Sequence, residues 1–306
     1  MPWRWLVLLV LVAAIVPVAG CGSGGNGAGR GSGASLAEQY KKAMNTEDPA
    51  SRAKLLVDVA KKQEKAGDRA GAESSLSGAA SAAARIEEAE LRASVTIDVA
   101  YVQAGMGMVS DAKKLLREVG VTSGEIKDQE EKVRVLARMA VTHSQVDNAT
   151  AATATLEEAA ELAQSIEREE GRPAALMAVA YAYHRIGATD DAQRIADRAL
   201  DAARTLTDAR KRSDALADAA LVLHRMKQSD ASKAAFTEAT ISAEQVAEDY
   251  SRAYAFAHIA EKRKQAGSAG AAQTMLDKAD AAAKKVTDTS LRNPLMEKLR
   301  AQRSAL

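Results

Sequence analysis

Arg172 to Lys211 reads RPAALMAVAYAYHRIGATDDAQRIADRALDAARTLTDARK, and Arg252 to Leu291 reads RAYAFAHIAEKRKQAGSAGAAQTMLDKADAAAKKVTDTSL. Laid one over the other they need no gap: Ala180 stands over Ala260, Gly187 over Gly267 and Ala192 over Ala272. Working outward at the same step of forty, a basic column appears at Arg52, Arg92, Lys132, Arg172, Arg212, Arg252 and Arg292. A small-residue column runs through Ala60, Ala100, Ala140, Ala180, Ala220 and Ala260, and a second through Ala72, Ala112, Ala152, Ala192, Ser232 and Ala272. Two bulkier columns follow, Leu76, Leu116, Leu156, Ala196, Phe236 and Leu276, then Ile86, Ile126, Ile166, Leu206, Val246 and Val286. Self-similarity at a fixed period of this size is the signature of a stacked repeat architecture.

Within a unit the pattern predicts two helices. The first starts at about the basic residue, as in Arg172 to Ile186, with Leu176, Val179, Ala180 and Tyr183 at the spacing of one helical face. A breaker column follows at Gly67, Gly107, Gly187 and Gly267, with Asp147 and Lys227 in the other two units. The second helix then opens near Asp68, Ser110 or Asp190 as N-caps and runs, rich in alanine, to the Ile86 column. One hairpin cannot bury its own apolar face; stacked neighbours bury a continuous core, with end helices covering the last faces.

The order Leu56, Val59, Ala60, Gly67, Ala72, Leu76, Ala79 resembles the tetratricopeptide repeat, and Leu176, Val179, Ala180, Tyr183, Gly187, Ala192, Ala196, Ala199 repeats it. The period is forty where that family has 34, and the closing proline is missing, which points to a longer second helix. The resemblance implies an all-α protein, a right-handed α-solenoid of six 40-residue helical hairpins with a terminal capping helix. The expected organisation is a short helix and turn over 36–51, and repeats at 52–91, 92–131, 132–171, 172–211, 212–251 and 252–291. A capping helix follows over 292–306.

The amino terminus carries a different signal. Leu6 to Val16 is an unbroken apolar run, short for a membrane span and suited to a signal-peptide core. Val18-Ala19-Gly20-Cys21 resembles the lipobox of bacterial lipoproteins, which implies a signal peptide at 1–20, lipid on Cys21 and Cys21 as first residue of the mature chain. Gly22 rather than Asp after the cysteine implies, by the same resemblance, the outer membrane facing the periplasm over the inner one. Residues 21–35 are Gly/Ser-rich and read as a flexible tether, with a reach of roughly 20 Å. Cys21 is the sole cysteine, so the fold has no disulfide to draw on.

Composition excludes several functions. The chain has 42 Lys and Arg against 41 Asp and Glu, and Arg4 goes with the signal, so the mature chain is balanced. Such a chain lacks the electrostatic drive for nucleic acid. With 47% hydrophobic but 3% aromatic residues, and both tryptophans in the first five positions, little remains for an aromatic-lined catalytic core. No nucleophile elbow, His-Glu-x-x-His, Walker loop or dinucleotide fingerprint occurs. No enzyme activity, cofactor or small-molecule substrate is expected.

The acids Asp48, Glu88, Asp128, Asp208, Glu248 and Asp288 stand four residues before the basic column, broken only by Arg168. They suit helix starts and the junctions between repeats. His184 and His224 share a column, but two ligands do not make a metal site, and none is expected. By the tetratricopeptide resemblance, the first helices line an inner groove. That face would include Tyr101, Arg134, Met177, Tyr181, His184, Arg185, Leu221, His224, Arg225 and Tyr254. It would form a mildly basic, aromatic-edged surface for protein partners, such as an acidic segment or C-terminus. The expected function is an envelope scaffold held to the membrane by the lipid on Cys21. The alternatives are a structural or cell-wall-associated component and, more remotely, an enzyme.

Overall fold

The computed structural model describes residues 35–306; the expected signal peptide at 1–20, Cys21 and the expected tether up to residue 34 lie outside the described residues. The described chain contains fourteen helices and no strand. A short α1 (Leu36–Met44) precedes six hairpins: α2 (Pro49–Lys65) with α3 (Arg69–Ala83), α4 (Ala89–Gly105) with α5 (Val109–Ser123), and α6 (Gln129–Gln145) with α7 (Ala149–Ser165). Then come α8 (Arg172–Arg185) with α9 (Thr189–Arg204), α10 (Ala209–Arg225) with α11 (Ser229–Glu244), α12 (Asp249–Gln265) with α13 (Ala269–Ala283), and a single α14 (Thr289–Ser304). Each first helix packs on its own second helix and on the first helix of the next unit, so the fold is an α-solenoid.

The repeat boundary lies three residues earlier than the basic column suggests. Five of the first helices begin three residues before the basic residue, and the acidic column supplies their N-caps. Asp48, Asp128 and Asp208 accept the backbone N–H three residues on, at 2.7, 2.9 and 2.8 Å. Glu88 and Glu248 hold the position without that bond. Second-helix caps follow a different rule from the one expected. Asp68 caps α3 and Asn148 caps α7 through their side chains, but Ser110 and Asp190 lie inside α5 and α9. There Met108 and Ala188 stand at the cap and contribute no side-chain bond.

The basic column has a specific task. Arg52 donates to the Thr46 carbonyl at 2.7 Å, Arg92 to Ile86 at 2.8 Å, Arg172 to Ile166 at 2.9 Å, Arg212 to Leu206 at 2.6 Å and Arg252 to Val246 at 2.7 Å. Each acceptor is a backbone carbonyl six residues back, just past the end of the preceding helix, where the chain has left carbonyls without helical partners. The guanidinium satisfies one of them and fixes the turn that feeds the next unit. Arg92 also reaches Glu125, and Arg212 reaches Gln245, so the column ties successive units as well.

The turn inside each hairpin is equally uniform. Gly67, Gly107, Asp147, Gly187, Lys227 and Gly267 all have positive φ, from 55° at Asp147 to 86° at Gly187. The following N–H closes back on the carbonyl five residues earlier, as Asp68 does on Gln63 at 2.9 Å and Gln228 on Leu223 at 2.9 Å. This is the helix ending that glycine serves best, since a Cβ at positive φ costs roughly 1–2 kcal/mol. Between helices, the alanine columns are fully buried where axes cross closely, and Leu56, Leu76, Leu136, Leu156 and Leu176 fill the space beside them. At the ends, α1 covers the first hairpin through Ala43 and Tyr40, and α14 covers the last through Leu295 and Leu299.

The fourth unit departs from this scheme. Arg168 stands where the others have an acidic cap, and α8 starts only at Arg172, with Gly171 at its cap and Pro173 in its first turn. Glu130 of α6 pairs with Arg168, and its carboxylate packs on Gly171 so closely that a Cβ there would collide with it. On the other side Glu170 pairs with Lys211 of α10 at 2.9 Å. Ion pairs to both neighbours thus replace the cap. On the outward side of the shortened α8, the first two turns present only the small Ala174 and Ala178 beside Arg172.

Candidate groove on the first helices

The exposed faces of α4, α6, α8, α10 and α12 lie side by side, and the small residues of α8 leave two hollows that share Ala178. The first, about 490 Å³, lies over α4, α6 and α8. Its floor is apolar, with Ile97, Ala137, Val141 and Ala182, and its rim carries Tyr101, Tyr181, Arg134, Arg138 and Arg185. The second, about 520 Å³, lies over α8, α10 and α12, with Met177, Leu221 and Val222 at its base. Its polar lining is mixed: Asp214 and Asp218 with Lys211, Arg225 and Lys262.

One bond defines the shape of the first hollow. Arg185 of α8 donates to the Tyr101 hydroxyl of α4 at 2.9 Å, across 84 residues of chain and over α6. In a flat row two packing steps would separate those axes by about 16–20 Å. The two long side chains and the bond between them bridge the hollow above α6, and the hollow itself makes this face locally concave. The α6 position in the same column as Tyr101 and Tyr181 is Val141, short enough to let the guanidinium pass. Arg185 also lies 6.0 Å from the centre of the Tyr181 ring, which in turn packs on His184 at 6.4 Å.

The three arginines are not equivalent. Arg134 is paired with Glu131 at 2.7 Å, and Arg138 is paired with Asp98. Among the described residues no carboxylate pairs with Arg185; its acceptor is a neutral phenol. That bond and the Tyr181 contact raise its already high pKa, against the opposing effect of partial burial.

In the second hollow the acids differ in the same way. Burial pushes the Asp218 carboxyl up, but His258 at 3.1 Å and Lys262 at 2.7 Å outweigh it and hold the group below its ordinary value. Asp214 is pushed up by burial, only partly offset by His258 and Arg210. Its nearest cation, Arg210, is 3.8 Å away, and its Oδ1 is buried without a partner.

The ten residues expected to line the groove fall in four places. Tyr101, Arg134, Tyr181 and Arg185 share the first hollow, with His184 beside them. Met177, Leu221 and Arg225 line the second, where Met177 and Leu221 are buried at its base and present little surface. His224 is exposed at the end of α10. Tyr254 is separate from both: it packs on Tyr250 at 4.8 Å, with Lys298 of α14 4.4 Å from its ring. Sequence reasoning missed Asp98, Arg138, Ala178, Asp218 and His258. These form one column at steps of forty, and its signal was that its chemistry changes from unit to unit while its neighbours repeat.

No group of three or more His, Cys, Asp or Glu among the described residues is placed to hold a metal ion, and no described helix is long and apolar enough to cross a membrane.

No family model and no curated protein matches the chain. Among solved structures it is similar to Ton1535 from Thermococcus onnurineus NA1, at 14% identity over 86% of this chain and 94% of that one, with a TM-score of 0.45. It is similar to BtubC (BKLC) from P. vanneervenii at 17% identity, covering 84% and 95%, with a TM-score of 0.39. A Podosopora anserina protein described as a kinesin light chain with nearly identical TPR-like repeats is similar at 17% identity, covering 66% and 100%, with a TM-score of 0.35.

Proposed function

We propose that this chain is a lipid-anchored envelope scaffold that holds a segment of another protein in the concave face of its first helices. The observation that carries the reading is Arg185. It is a guanidinium without a carboxylate, set on the rim of an apolar-floored hollow between two tyrosines. An extended segment with an acidic residue fits such a surface, because a carboxylate gains a charge-assisted bond while its apolar neighbours cover the floor. Catalysis is not part of this reading. The anchor is the lipid on Cys21, and the location is the outer membrane, facing the periplasm.

A photo-crosslinker in place of Tyr181 in living cells, combined with Arg185→Glu and Arg225→Glu, tests the reading. The expected result is a discrete protein adduct that the double change reduces at least tenfold without shifting the urea midpoint. An adduct untouched by the double change removes the basic rim from the account. Retention by peptidoglycan alone, with no adduct, supports a cell-wall-associated component instead. Cys21→Ala should release the protein from the membrane fraction.

A further inference from the structure

We propose that the Tyr101 hydroxyl is a placeholder for the partner's carboxylate, holding Arg185 until an acidic side chain displaces it. The inference rests on the groove reading above and goes one step deeper, to the chemistry of exchange.

Three observations lead there. The other two arginines of the hollow already have carboxylates, so only Arg185 has an unspent charge. Its present acceptor is a single neutral oxygen, whereas a carboxylate brings an opposite charge and two oxygens that the guanidinium fork can take together. Tyr101 itself is 38% exposed, so its hydroxyl returns to water at little cost when released. The exchange is therefore downhill for a carboxylate and nearly neutral for the phenol.

The occupant is correspondingly narrow: one acidic side chain in an extended protein segment, with an aliphatic neighbour against Val141 and the Tyr181 ring. A polyphosphate or an anionic lipid surface fits worse. Asp98 lines the same hollow and Glu131 neutralises Arg134, so a second negative charge has no cation to meet.

The sign of one substitution separates this from a simple binding role for Tyr101. If Tyr101 contacts the partner, Tyr101→Phe weakens binding; if it competes with the partner, the same change strengthens it. The probe is the blocked peptide acetyl-Ala-Leu-Glu-Leu-Ala-amide and its glutamine counterpart, titrated by NMR into the full chain. Wild type should bind the glutamate peptide at least tenfold more tightly than the glutamine one. Tyr101→Phe should bind the glutamate peptide about fivefold more tightly than wild type, the equivalent of one neutral-acceptor bond. Arg185→Gln should lose the preference for glutamate. Unchanged or weaker binding by Tyr101→Phe, with the glutamate preference intact in wild type, overturns the placeholder and leaves the groove reading standing. No preference for glutamate in wild type overturns both.

Discussion

The two faces of the first helices obey opposite rules. On the buried face and at the unit junctions, one residue type recurs every forty positions: alanine at 60 through 260, arginine at 52 through 292 with one lysine. On the concave face the step is the same but the residues change. The column through Asp98 continues as Arg138, Ala178, Asp218 and His258. A repeated residue solves a problem that every unit has: an orphan carbonyl, a close crossing, a left-handed turn. A residue that differs at each step solves no shared problem. In a solenoid, function therefore belongs to the columns that do not repeat.

A substitution at a repeated position should cost the most. Leu176 is completely buried between hairpins, and its equivalents Leu56, Leu136 and Leu216 are as well. Leu176→Ala should cost about 3 kcal/mol, the usual penalty for a buried leucine whose surroundings cannot collapse into the space. Stability in such an array is carried by contacts between adjacent units, so the loss should also broaden the urea transition. A cost below about 1 kcal/mol would mean that the units lean on one another far less than the packing indicates.

The fold was legible in the sequence for the same reason. Arg, Ala, Gly and Leu at fixed steps announce identical local solutions, so hairpin number and order followed directly. Boundaries were less legible. The basic column looked like a helix start because it is the most regular mark in the chain, yet the arginine sits one turn inside the helix and reaches back to a carbonyl. The groove was legible only in part. Tyr101, Arg134, Tyr181 and Arg185 line one hollow, but their opposing charges do not show in one unit's sequence. Asp98 neutralises an arginine forty residues away, and the Arg185–Tyr101 bond joins helices two units apart, a meeting that no local pattern encodes.

The junction column offers a second test with both signs. Arg212→Met removes the donor to the Leu206 carbonyl, beside a nearly buried side chain, and should cost about 2 kcal/mol. Lys132 is the column's exception and makes no comparable bond to Ile126. Lys132→Arg should therefore stabilise the chain by up to about 1 kcal/mol. Thermal unfolding of the two variants side by side checks both. A neutral Arg212→Met would reduce the column to decoration.

The smallest expected effect lies on the concave face, and it has the opposite sign. Asp214 is a groove residue that the fold does not need: its carboxyl is half-buried, one oxygen lacks a partner, and its pKa is raised from 3.8 chiefly by burial. An acid whose pKa is higher folded than unfolded contributes stability while both states are protonated, below about pH 3.8, and loses it as pH rises through the folded value. At pH 7 the charged form is a net burden. Asp214→Asn should accordingly stabilise the protein at pH 7 by about 1 kcal/mol or less, and the gain should fade on acidification towards pH 3.8. Urea midpoints measured from pH 4 to 7 give the slope. A gain independent of pH would show that shape, not charge, governs this position. A loss at pH 7 would place Asp214 with the repeated residues, as part of what holds the hairpins together.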